Sequence, residues 1–174
     1  QRFAAHAGYA NGAGCCQNRQ KRKRVKSCLF HRVNQSVWNH WMIIYIPRTV
    51  SSTTGMLSIR GGSVSDKKPE PDQKLGGFAA ETQSVITELF DIPNEPLRFV
   101  KDSFGPRSED QIIAYTWREF LLSGDSTWPL RLPITKAVVS SMDTVASFAA
   151  SKNGGMHQVD RFFVLGASKR GWTT

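Results

Sequence analysis

The chain has 174 residues, 40% apolar and 21% charged, which suits one domain with a proper hydrophobic core and excludes disorder throughout. Its longest apolar run, WMIIYIP at 41–47, falls far short of the roughly 20 residues a membrane-spanning helix needs. The net charge of +9 lies wholly at the front: residues 1–65 carry ten Lys and Arg and no acid, whereas 66–174 carry thirteen basic residues against fourteen acids.

Taken in chain order, residues 1–29 have no defensible period and are left unassigned, as a basic segment that is disordered or an assembly artefact. Six cations crowd RQKRKRVK at 19–26. Such a run attracts polyanions or serves as a nuclear address, and it equally makes a solvated, self-repelling tail. Cys15, Cys16, Cys28 and His31 lack the spacing of a tetrahedral zinc site, so no metal is expected, and no cofactor. From about residue 30 the composition becomes that of a folded domain, expected over 30–174.

WMIIYIP at 41–47 has the branched, apolar composition of a strand closed by Pro47, and GMLSIRGG at 55–62 gives a second strand ending on Gly61 and Gly62. Phe78, Val85, Ile86 and Leu89 fit a helical period up to DIPNEP, and LRFV at 97–100 is a short strand. In SEDQIIAYTWREFLLSGD, Ser108 and Gln111 form a capping box, Ile113, Trp117, Phe120 and Leu121 form an apolar stripe, and Gly124 ends the helix. STWPLRLP reads as a loop. Ile134, Val138, Met142, Val145 and Ala149 share one face of a long helix, and RFFVLG at 161–166 reads as a buried strand. Strands alternating with helices predict an α/β domain with a parallel sheet.

In such a sheet the crevice beyond the carboxyl ends of the strands binds ligands, and Ser168 falls there. Gly166 precedes it by two residues, as a nucleophile elbow demands, but Arg170 stands where a small residue is expected and the glycine arrives late as Gly171. The pattern G-x-S-x-x-G is weak by itself and equally suits a helix-capping serine. A nucleophilic serine of this class needs two backbone N–H donors for its oxyanion. Lys169 would give one, and the loop IRGGSVSD, with Gly61 and Gly62, the other, unless those glycines merely make a turn. The order of glycine loop, helix, strand, helix, strand and serine is that of an α/β-hydrolase core.

The blocks NHWMIIYIP, IRGG, DIPNEPLRF, RSEDQIIAYTWREFL, WPLRLPITKAVVSSMD and RFFVLGASKRGWTT resemble the PhoPQ-activated pathogenicity-related protein family over about residues 33–174. One departure is that His40 precedes Trp41 where the family order is Trp-x-His. The resemblance implies an α/β-hydrolase-like protein, tied in bacteria to a two-component virulence regulator and in some amoebae to secretion, hence an extracytoplasmic or secreted setting, although no signal peptide is visible. The elbow also resembles that of glucuronoyl esterases, which place a basic residue after the serine. By that analogy Lys169 lends its ammonium to the oxyanion or holds an anionic ester or peptide; a surface lysine is the plain alternative, and Arg170 beside it reads as solvated.

In this architecture the triad acid and histidine follow the serine, and only six residues follow Ser168. His6, His31, His40 and His157 all precede it, and His157 falls at the wrong end of the last strand. The triad acid and histidine are therefore expected to be absent, the chain to be the amino-terminal part of the domain, truncated after the elbow strand, and this piece to be inactive. Three functions are in competition: a serine hydrolase acting on an ester or amide, a secreted or surface signalling protein that binds without catalysis, and, least expected, a basic nucleic-acid-binding protein.

Overall fold

The computed structural model describes residues 16–26 and 32–174. Strands β1 (Cys16–Lys26) and β2 (Val37–Pro47) pair antiparallel along their whole length, Cys16 opposite Pro47 and Lys26 opposite Val37. The polybasic run at 19–26, expected in an unassigned or disordered segment, is thus an edge strand. Its sequence has no apolar alternation to announce it, because the pairing satisfies backbone groups on the rim of β2 and calls for no particular side chains. The expectations about Cys15, Cys28, His6 and His31 lie outside the described residues.

β2 is buried on both faces, and its two sets of alternate side chains meet different helices. Trp38, Met42, Ile44 and Ile46 point to one side, Ile43 and Tyr45 to the other. β3 (Thr54–Ile59) leads through the diglycine loop to helix α1 (Gln73–Thr82), whose Ala79 packs on Ile43, Tyr45 and Ile86. Asp72 caps α1 by accepting from the Lys74 N–H at 2.8 Å.

The helix expected to run from Phe78 to Leu89 is corrected here. α1 ends at Thr82, Gln83 takes a left-handed conformation with φ 48°, and Ile86–Leu89 is strand β4. Every residue of β4 is buried. A strand covered on both sides shows no alternation, so its apolar residues matched a helical period equally well.

The strand expected at LRFV is present as the two residues of β5 (Leu97–Arg98), which pair antiparallel with β6 (Pro106–Arg107) in a ribbon outside the main sheet. Helix α2 (Glu109–Ser123) starts at the Ser108/Gln111 capping box and ends at left-handed Gly124, as expected. Its buried residues are Ile112, Tyr115 and Thr116; Trp117 and Leu121 of the expected stripe are exposed. Helix α3 (Arg131–Ala149) takes Pro133 into its first turn, where proline's missing N–H costs nothing, so the expected loop is shorter. Ile134, Val138, Val145 and Ala149 are buried along one face, with Met142 packed against them. α2 and α3 cover the face of the sheet opposite α1.

Strand β7 (Arg161–Gly166) pairs with β3 alone. That edge position leaves Arg161 and Phe163 exposed, against the expectation of a buried strand. The sheet order is β1-β2-β4-β3-β7. β2 runs antiparallel to β1 and β4, whereas β4, β3 and β7 are mutually parallel, so the sheet is mixed and not purely parallel.

Candidate active site

Among the parallel strands the chain enters at β3, moves to one side to form β4, and crosses back to the other side to form β7. The strand order reverses between β3 and β7. Such a switch point opens a crevice beyond the carboxyl ends of the strands, because the connections leave in opposite directions. The register sets Ile59 opposite Gly166, one strand spacing of about 4.8 Å apart. Gly61 and Ser168 each lie two residues beyond that level, past the ends of these adjacent strands.

The turn at Ser168 is tight. Ser168 has φ 54°, a left-handed conformation that costs an L-residue with a side chain on the order of 1–2 kcal/mol. A Cβ on Gly166 would lie 2.6 Å from the carbonyl carbon and oxygen of Arg170, and one on Gly171 would lie 2.9 Å from the Gly166 oxygen. The late glycine therefore serves the close approach of residue 171 to the Gly166 carbonyl. Ala167, not Ser168, occupies the cap position of the 3-10 turn that follows, and no side-chain cap bond forms there. Ser168 is exposed.

Backbone strain gathers around this point. Of the five non-glycine residues with positive φ among the described residues, Asp91 (63°), Glu109 (48°) and Ser168 surround the crevice. Gly62, at φ 128°, lies against Asp91, whose Oδ1 would be 2.6 Å from a Cβ there. The Asp91 N–H donates to the Gly61 oxygen and the Ile92 N–H to the Arg60 oxygen, both at 3.2 Å, so the loops after β3 and β4 are tied together.

Lys169 is neither a bare oxyanion partner nor a solvated surface lysine. Its ammonium sits 3.0 Å from both Glu109 Oε2 and Asp110 Oδ1 at the start of α2, with only 10% of the side chain exposed. Burial pulls its pKa down, but hydrogen bonds and charges from Asp110 and Glu109 outweigh that and raise it. Its hydrogen bond to Lys169 holds Glu109 below the ordinary carboxylate range. Glu95, buried beneath, accepts from the Glu109 N–H at 2.5 Å, and its pKa is raised by desolvation.

Neither of the two described histidines, His40 and His157, reaches this crevice. His157 precedes β7, at the far end from Ser168, as expected. His40 does lie near the crevice end of the sheet, its Nδ1 3.2 Å from the Phe90 oxygen, but β4 and β3 separate it from β7. Three strand spacings amount to roughly 14 Å, beyond side-chain reach. Among the described residues no cluster of His, Cys, Asp or Glu could hold a metal.

The profile of PhoPQ-activated pathogenicity-related proteins matches residues 29–174. The chain belongs to that family. A relative, the autocrine proliferation repressor protein A of Dictyostelium discoideum, is 40% identical over 141 residues, which cover 79% of this chain and 28% of the relative. The chain thus spans little more than a quarter of that protein's length. No solved structure matches.

The Trp-x-His order expected from the resemblance occurs in the sequence as Trp38-Asn39-His40. Residues two apart share a face of β2, and the two rings meet edge-on with centroids 6.0 Å apart, both fully buried. Glu109, Asp110 and Asp91 went unsuggested as site residues, because a capping sequence and an acid after a strand carry no mark of the loop they will face. Arg170, which read as solvated, is 13% exposed and bonded across the crevice.

Proposed function

We propose that this family member carries the nucleophile side of a serine hydrolase site within an α/β-hydrolase-type domain, acting in the full-length protein on an ester or amide. Ser168 is the nucleophile. The N–H of Lys169 and those of the Gly61–Gly62 loop form the oxyanion hole, and the acid and histidine are supplied by parts of the full-length protein outside this chain. The observation that carries this reading is the left-handed, exposed Ser168 at the carboxyl end of β7, beside the diglycine loop at the switch point. Positive φ at a serine between a strand and a helical turn is the strain an elbow stores, and strain of this kind concentrates at functional sites.

Because Lys169 is already paired with Glu109 and Asp110, the proposal assigns it the backbone N–H and not the ammonium. An anionic substrate would compete with those carboxylates, so the reading favours an uncharged ester or amide over an anionic one. No cofactor enters the scheme, and an extracytoplasmic or secreted setting is part of the proposal.

The test is a fluorophosphonate probe on the full-length protein: labelling is expected in wild type and lost in Ser168→Ala with the fold intact. A second reading, a secreted or surface signalling protein that binds without catalysis, is favoured by the name of the Dictyostelium relative. A folded wild type that takes no label would leave that reading in place and remove the first.

A further inference from the structure

The two glycines after β3 are glycines for different reasons. Gly62 has a positive φ and Asp91 against its Cα, so its backbone alone demands glycine. At Gly61 the backbone makes no such demand; what excludes a side chain there is the guanidinium of Arg170, whose Nη2 and Cζ would lie 2.3 and 2.7 Å from a Cβ. An arginine end is normally free to swing aside. This one is held: its Nε donates to the Ile92 oxygen at 2.7 Å, and its Nη2 lies 3.5 Å from Glu109 Oε1. One side chain from the elbow thus bridges the loop after β3, the loop after β4 and the start of α2.

The geometry points to Arg170 as a positioning residue that fixes the diglycine loop against the Ser168 turn, and to Gly61 as glycine on account of Arg170. The inference rests on the hydrolase reading for its catalytic consequence, but the loop geometry stands apart from it. A guanidinium seated on a bare Cα fills the space a methyl group would take, and its bond to the Ile92 oxygen anchors it to the loop after β4. Without it the Gly61–Gly62 amides lose their fixed distance from the serine. Misplacement by about 1 Å costs on the order of a hundredfold in rate.

The two residues are then coupled in a defined way. Gly61→Ala pushes the guanidinium off the Ile92 oxygen and so reproduces Arg170→Ala; once Arg170 is gone, the three atoms nearest to an alanine Cβ at 61 are gone with it, and nothing that remains lies closer than 3.2 Å. In the full-length protein, the rate of fluorophosphonate labelling is expected to fall by on the order of a hundredfold in Gly61→Ala and in Arg170→Ala, and the double variant should be no slower than Arg170→Ala. Arg170→Lys, which keeps the charge and loses the fork, should recover little. Labelling of Gly61→Ala at the wild-type rate, or losses that multiply in the double variant, would overturn the proposal.

A second readout separates this proposal from the hydrolase reading. Amide hydrogen exchange across residues 60–64 should quicken in Gly61→Ala and Arg170→Ala alike, with no further gain in the double variant. If wild type takes no label, the hydrolase reading falls while this exchange pattern still supports the clamp. Unchanged exchange in Arg170→Ala sinks the clamp whether or not the protein labels.

Discussion

At the scale of single residues, the elbow makes a demand at Gly166 that no side-chain movement can relieve. The atoms that a Cβ would strike are backbone atoms of Arg170 and Gly171. Gly166→Ala is therefore expected to lower stability by about 1–3 kcal/mol and to remove labelling of Ser168, read by denaturant unfolding and by the probe. Wild-type values for both would mean the turn is looser than described. His40 gives a second prediction at this scale. Because its Nδ1 faces the Phe90 oxygen, Nδ1 carries the proton and Nε2 is left a buried acceptor without a partner among the described residues. Desolvation lowers its pKa from 6.5 to about 4, against weaker raising by the hydrogen bonds to Phe90 and Asp91. The unfolded imidazole takes up its proton near 6.5 while the folded one resists until about 4, so this contribution is complete above 6.5 and declines as pH falls to about 4. A displacement of that size is worth at most about 3 kcal/mol. Unfolding free energies measured from pH 7 to 4.5 should fall more steeply in wild type than in His40→Phe, and equal slopes would contradict the assignment.

At the scale of elements, β4 is the strand that sequence reasoning turned into helix, and it carries the most direct stability prediction. Thr87 is fully buried in its centre with a hydroxyl that makes no hydrogen bond among the described residues. A buried hydroxyl without a partner is a net cost, and valine has nearly the same shape. Thr87→Val should raise stability by about 1 kcal/mol, seen as a higher Tm. A lower Tm would mean that this hydroxyl has a partner, and with it that β4 is not packed as described. The elements whose signal is local were legible in the sequence: the capping box at Ser108, the glycine stop at Gly124, the apolar core of β2 and the face of α3. What was not legible depends on neighbours. β4 hides its period because both faces are covered, β1 because edge pairing needs no pattern, and the outward turn of Trp117 and Leu121 because α2 meets the core through Ile112 and Tyr115.

At the scale of the whole molecule, the strand order carries what no short stretch could. β3 reaches β4 on one side and β7 on the other, and only that crossing makes neighbours of Gly61 and Ser168, which are more than a hundred residues apart in sequence. The sequence suggested both halves of the site from local patterns, a diglycine after one strand and a serine after another, but not their clamp. The roles of Arg170, Glu109 and Asp91 follow from loops brought together by the sheet, which is why Arg170 read as solvated. The proposed hydrolase site requires that the strain at position 168 serve a reactive hydroxyl. Peptide mapping by mass spectrometry after fluorophosphonate treatment of the full-length protein tests it most directly. One adduct per chain is expected, on the peptide containing Ser168; an adduct confined to another serine, or none on folded protein, would rule the site out.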